Sequence, residues 1–391
     1  MQNATPKLLE MIGALIAAPS VSSVSPQFDQ GNRAVIDLLA AWLDALGFQV
    51  EIQPLPRHPG KANLIATLGT GGGGLVLAGH TDTVPCDPEL WTSDPFRLTE
   101  RDQKLYGLGT SDMKAFLALA VEAAGRFDAK QLREPLTIVA TADEESSMAG
   151  ALALVEAGHA LGRHAIIGEP TGLRPIRTHK GIMMEAIRVR GQSGHSSDPA
   201  LGNSALEGMY QVLGEILTWR AELQQRYRNP LFKVPVPTLN LGHIHGGDNP
   251  NRICGACELH IDLRPLPGMD LDDLHGELER RLTQRLAGSG LGLQVEPLFA
   301  GTPALETAAG AAIVEAGERL TGYAAEAVAF GTEGPYFNAL GMETLILGPG
   351  DIAQAHQPDE YLRLDRIDPT LDLLTKMIGE FCVAPGPETS R

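Results

Sequence analysis

Apolar positions along the chain change period several times, and each change marks an element. Leu8, Leu9, Ile12, Leu15 and Ile16 recur at helical spacing until Pro19 and a Ser/Val loop end the run. A second helix is predicted over 33–46, with Gly47 as its C-cap. Two strand-like runs, VEIQPL and ANLIATL, flank a turn-rich segment, and Gly69 to Gly74 (GTGGGG) separates the second from the strand LVLAG. A phosphate cradle needs a helix directly after such glycines, so a hairpin turn is expected there. From Leu75 onward strands alternate with helices: LVLAG, helix 113–127, strand 136–141, helix 147–157, strand 165–168. That alternation indicates an α/β fold with a largely parallel sheet.

The pattern then breaks. IMMEAIRVRG (182–191) alternates like an antiparallel strand, and 205–227 reads as a long helix. VPTLNLGHI and ICGACELHIDLR are two further strands, 271–287 a second helix and GLQVEPL a last strand. This β-α-β-β-α-β order is the ferredoxin-like split unit, which can be inserted into another domain. The α/β pattern resumes with a helix near 308–321, a strand at 344–347 and a helix at 369–381. The domains expected are 1–180 and 298–391 for the α/β part and 181–297 for the insertion. The closing APGPETSR is expected to be a disordered tail.

Composition narrows the partners. The 31 Lys+Arg against 48 Asp+Glu give a net charge of −17, which repels nucleic-acid phosphates and anionic lipid. No apolar run approaches the about 20 residues needed to span a bilayer, and the start does not read as a signal peptide. Four cysteines in 391 residues are too few for a disulfide framework, so a reducing cytoplasm is expected.

Acids and histidines gather where the strands end. LVLAG runs into His80 and Asp82, TIVATA into Asp143, Glu144 and Glu145, AIIG into Glu169, and TLILGPGDIAQA into His356; Asp112 stands at the start of a helix. Ligands of open α/β sheets collect outside the carboxyl ends of parallel strands. Taken singly, Asp112 is a helix N-cap, the histidines are loop residues and the glutamates are solvated. Together they place several carboxylates at one edge, which is unfavourable unless cations neutralise them. Two His and three carboxylates without Cys suit Zn2+, with Co2+ or Mn2+ as substitutes. Five ligands exceed the need of one tetrahedral ion, so two ions sharing a carboxylate fit better, leaving one of Glu144 and Glu145 as a base.

HTDTVP, GLGTSDMK, DEE, GEPT, GHSS and AHQPDE, in this order, resemble the dinuclear zinc aminoacylase/carboxypeptidase family of metallohydrolases, over nearly the whole chain. The resemblance implies a metallopeptidase-type catalytic domain with an inserted lid or dimerisation domain. It implies His80, Asp112 and Glu169 around one metal, and Asp112, Glu145 and His356 around the other, with Asp112 bridging. Asp82 would orient His80, and Glu144 would be the general base. His195 of the inserted domain would stabilise the oxyanion in the partner's active site, which implies a homodimer; without the resemblance His195 is a loop residue before Ser196. The implied reaction is hydrolysis of an Nα-acyl amino acid, N2-acetyl-L-ornithine in arginine biosynthesis first. Acetylcitrulline, a succinylated diaminopimelate precursor and dipeptides are the rival substrates. A non-catalytic metal-binding protein is the alternative of another class.

An acyl amino acid carries an α-carboxylate, best held by an arginine fork and a neutral donor. Asn251 and Arg264 flank the strand RICGACELHIDL at the spacing related desuccinylases use; Arg252 is a rival, and Arg264 could instead form a strand-end ion pair. Gly331, Thr332 and Glu333 match a family loop lining the substrate pocket, and Lys180 is a further candidate. Cys254 and Cys257 lack the second pair that a zinc ribbon needs. Gly107-x-Gly109-x-x-Asp112 ends in Asp where a dinucleotide fingerprint needs Gly.

Overall fold

The computed structural model describes residues 5–383, and the chain divides into two units. The first takes the chain up to Arg177, the stretch Thr307–Glu326 and the chain from Thr332; the second takes Thr178–Glu306 and Ala327–Gly331. The APGPETSR tail lies outside the described residues.

The first unit opens with α1 (Leu8–Ile16), α2 (Arg33–Ala45), β1 (Gln49–Pro54), β2 (Ala62–Leu68) and β3 (Leu75–His80). The short β4 (Thr99–Arg101) and β5 (Lys104–Tyr106) follow, then α3 (Lys114–Ala124), β6 (Leu136–Thr141), α4 (Ala149–Ala157) and β7 (His164–Ile167). Strand β8 (Ile176–His179) carries the chain into the second unit. After the insertion come α7 (Ala312–Thr321), β14 (Glu326–Val328), α8 (Gly334–Ala339), β15 (Glu343–Ile346), β16 (Tyr361–Arg363) and α9 (Ile367–Ile378). The second unit holds β9 (Met183–Arg190), α5 (Ala205–Arg226), β10 (Thr238–Gly246), β11 (Ala256–Arg264), α6 (Leu271–Arg285), β12 (Gly292–Pro297) and β13 (Leu305–Glu306).

Four parallel strands, in the order β6-β3-β7-β15, form the centre of the first unit's sheet. The antiparallel pair β1-β2 extends it beyond β6. Leu75 and Leu77 of β3 pack into the core that holds Leu15, Leu39, Leu117 and Leu374, while Val76 and Ala78 face Leu154, Phe337 and Met342. A strand covered on both faces has no polar side, which is why LVLAG reads as an unbroken apolar run. Helix α3 buries ten of its eleven residues, Phe116 among them. A Cβ on Gly168 would lie 2.0 Å from the Phe116 ring, so only glycine fits between β7 and Glu169.

The expected hairpin at Gly69 to Gly74 does not form. β6 lies between β2 and β3, antiparallel to one and parallel to the other. The glycines do reverse the chain, but across the width of a third strand. A turn signal reports reversal and not adjacency, and the fully buried β6 takes the central place. A Cβ on Gly74 would meet the Pro135 carbonyl at 1.9 Å, so glycine is needed where the segment passes the start of β6. Helix α4 begins two residues later than expected because Met148 is left-handed (φ +57). The small sheet β16-β5-β4 has three-residue strands, too short to display a period.

In the second unit the antiparallel order is β10-β11-β9-β12, the ferredoxin-like arrangement. Met209, Val212, Ile216 and Trp219 of α5 and Leu274, Leu278 and Leu282 of α6 pack on Ile187, Val189, Leu259 and Ile261. On the sheet's other face Arg188 pairs with Glu258 and Glu296. The unit continues past 297 to Glu306 because Thr302 bridges Ile182 and Leu305 pairs with His179. That return strand lacks a period of its own, so the pattern placed the boundary too early.

Candidate metal centre

The parallel strands bring their carboxyl ends side by side. β3 ends on His80, β6 runs into Asp143, Glu144 and Glu145, β7 is followed by Gly168 and Glu169, and the loop after β15 carries His356. His80, Asp112 and Glu169 each place a ligand atom within 4.8 Å of the others, and so do Asp112, Glu145 and His356. Asp112 belongs to both groups: Oδ1 lies 3.1 Å from His80 Nε2, and Oδ2 lies 3.7 Å from His356 Nε2. His356 Nε2 is 3.0 Å from Glu145 Oε1. The residue capping α3 is Met113, without a side-chain cap bond, so Asp112 is not a helix cap.

The electrostatics suit cations. Burial raises the carboxyls of Glu144, Glu145 and Glu169, with repulsion from Glu169, Asp112 and Asp112 respectively adding to it. Burial opposes charge on the His80 ring, yet Asp112 and Asp82 hold its basicity well above the ordinary histidine value. Glu169 Oε1 is buried with no hydrogen-bond partner. Crowded acceptors, an orphaned buried oxygen and two N/O triads sharing one carboxylate fit a pair of divalent ions.

Asp82 faces His80 through both its backbone and its carboxylate. The nearer partner of His80 Nδ1 is the Asp82 carbonyl oxygen at 3.0 Å, with carboxylate Oδ1 at 3.6 Å. A carbonyl only accepts, so Nδ1 carries a proton and Nε2 faces Asp112. The Asp82 carboxylate also accepts the backbone N–H groups of Glu144 (3.3 Å) and Glu145 (3.1 Å). It therefore braces the turn that presents both glutamates.

A family model described as "Peptidase family M20/M25/M40" matches residues 76–380. The chain belongs to this family. It is 52% identical over 382 residues to an acetylornithine deacetylase of Edwardsiella ictaluri, covering 98% of this chain and 100% of the relative. An M20 family metallo-carboxypeptidase from Sulfolobus solfataricus has the same fold, with a TM-score of 0.73 at 16% identity over 95% of this chain and 98% of that one. A dinuclear metal binding peptidase of the M20 family from Bacillus subtilis superposes with a TM-score of 0.65 at 16% identity, covering 95% and 96%.

Further residues brace this M20 site, and of these Lys61, Asp29 and Ser22 carry no sequence signal. Asp143 is left-handed (φ +60) and buried. The buried Lys61 donates to Asp143 and, at 2.6 Å, to Asp29, and Ser22 Oγ donates to Asp143 at 2.9 Å. Glu333 is fully buried; burial pushes its carboxyl up to about 7, against a Thr141 hydrogen bond and His80. Thr332 is buried beside it in sequence.

The other predicted residues lie in the second unit, at two ends. His195 bridges Arg252, and the Asn251 carbonyl accepts the Ser196 N–H at 3.0 Å, so these three share one end. The His195 Nδ1 accepts the Ser197 N–H at 3.2 Å, which leaves the ring proton on Nε2. Arg252 pairs with Asp248. Arg264 closes the other end of the nine-residue β11, about 27 Å along the strand from Ala256. Its Nε donates to both Asp262 oxygens at 2.9 and 3.1 Å, the ion pair weighed from sequence. Asn251 precedes the Ala256 end of β11 in sequence, so the length of that strand lies between it and Arg264. Lys180 is buried near the Arg264 end and donates to the Val236 carbonyl at 2.6 Å, and Gly331 packs close against Ile182.

Proposed function

We propose that this M20 family chain is a metal-dependent amidohydrolase that cleaves the amide of an Nα-acetyl amino acid, N2-acetyl-L-ornithine first, releasing L-ornithine and acetate in arginine biosynthesis. The observation that carries the reading is Glu144, a half-buried acid directly before Glu145 and within reach of His80 at the shared cluster. The name of the Edwardsiella relative, at 52% identity, supports the substrate.

His80, Asp112 and Glu169 would hold one divalent ion and Asp112, Glu145 and His356 the other; the ligand chemistry favours Zn2+, with Co2+ or Mn2+ as substitutes. Once bound, such ions would lower the pKa of water to about 7 and polarise the amide carbonyl. Glu144 takes the proton of the attacking water and hands it to the departing nitrogen. Asp82 keeps Glu144 in place through its backbone N–H. His195, with its proton on Nε2, donates to the oxyanion.

The family resemblance implies a homodimer, and the length of β11 supports a reading in which the two ends of the second unit serve two different active sites. Arg264, released from Asp262, meets the substrate carboxylate at one; His195, Asn251 and Arg252 reach the other. Gly331, Thr332 and Glu333 shape the pocket, and Lys180 supports it from within. Four free thiols accord with a cytoplasmic setting.

Rates over N-acetylornithine, N-acetylcitrulline, N-acetylmethionine and a succinylated diamino acid, with Zn2+ or Co2+ added, test the reading. N-acetylornithine is expected to give the highest kcat/KM, and no turnover of any of the four overturns the proposal. Glu144→Ala should lower kcat by about 10²–10⁴-fold while the protein retains two equivalents of metal. A binding protein without catalysis would be indifferent to that change.

A further inference from the structure

Glu360 lies behind the metal centre. Its Oε1 accepts three backbone N–H groups, from Gly109 at 3.0 Å, Ser111 at 2.7 Å and Asp112 at 3.0 Å. Its own carbonyl accepts the Gly107 N–H at 3.1 Å, and the side chain is buried. Gly107 (φ +153) and Gly109 (φ +89) let the loop curl around this one oxygen. Three backbone bonds to one buried oxygen fix the loop, since losing that oxygen would leave three buried donors unpaired. At its end the Asp112 side chain turns one oxygen to His80 and the other to His356. His356 itself stands four residues before Glu360, on the same segment.

We propose that Glu360 is the positioning residue for the shared Asp112 carboxylate, so that the segment His356 to Glu360 supplies one ligand and aims another. The inference rests on reading the two triads as a metal centre. Removing the acceptor frees the loop, and because Asp112 belongs to both triads, both ions should be affected.

The test is titration of metal-free protein with Co2+, followed by the d–d absorption and by chelator competition, with thermal unfolding of each metal-free variant as a control. Glu360→Ala should weaken both Co2+ sites by about 10–100-fold and alter the spectrum. Glu360→Gln keeps an acceptor oxygen in place and should recover much of the affinity. Glu360→Asp keeps the carboxyl but withdraws the oxygen, and should bind worse than Glu360→Gln; this pair decides the matter if Glu360→Ala does not fold. Wild-type affinity and spectrum in Glu360→Ala, loss at one site alone, or Glu360→Asp binding better than Glu360→Gln would each overturn the proposal. Wild-type protein that binds no Co2+ would remove the metal centre and the proposal with it, whereas a failure of the substrate reading alone would leave these titrations unchanged.

Discussion

Asp143 adopts a left-handed backbone (φ +60) one residue before Glu144, a conformation that carries strain for a residue with a Cβ. The surrounding bonds hold it: Lys61 and Ser22 grip the carboxylate, and the Ser147 and Met148 N–H groups donate to its carbonyl. Lys61→Met would leave Asp143 buried with only His58, 3.3 Å away, as a basic neighbour, and about 3–5 kcal/mol of stability should be lost, read from urea midpoints. Lys61→Met combined with Asp143→Asn should recover part of that loss. The gathering of His80, Glu144, Glu145, Glu169 and His356 at one sheet edge was legible from the direction of the apolar strands, whereas the place of Asp112 and the choice of Glu145 over Glu144 as ligand came from the family resemblance. Lys61, Ser22 and the bracing role of the Asp82 carboxylate were legible in neither way. They come from loops whose meeting depends on tertiary packing and leaves no periodic trace.

Elements set the precision of the ligands. Helix α3 is buried almost all round and presses Phe116 against Gly168, immediately before Glu169. Gly168→Ala would drive a methyl into that ring. The expected outcome is a loss of about 1–3 kcal/mol in urea unfolding, together with weaker Co2+ binding, because the displaced strand end carries Glu169 with it. Alternation made the βαββαβ order of the insertion readable, since each strand has one covered and one polar face. The same logic failed at the Gly69 to Gly74 segment, where both flanking strands are buried on two sides and their run of apolar residues is silent about which strand sits between them.

At the scale of the molecule, the charge of −17 argues against nucleic-acid partners, and among the described residues no helix is long and apolar enough to cross a membrane. The charge total says nothing of where acids concentrate; the strand ends do. The boundary of the second unit was legible only to within about ten residues, because its return strand β13 is two residues long.

The length of β11 has a further consequence. If both ends of the second unit must meet one substrate, the catalytic unit is a pair of chains, and turnover obeys mass action in the protein itself. Specific activity should fall on dilution below the dimer dissociation constant, while the metal content of each chain stays constant and an excess of Glu144→Ala chains, which still carry His195, restores the diluted wild type. Activity per chain that is independent of concentration, in a protein shown to be monomeric by light scattering, would rule this out. A hydrolase arranged in this way is inactive when newly made and scarce, and becomes competent only as its own concentration rises.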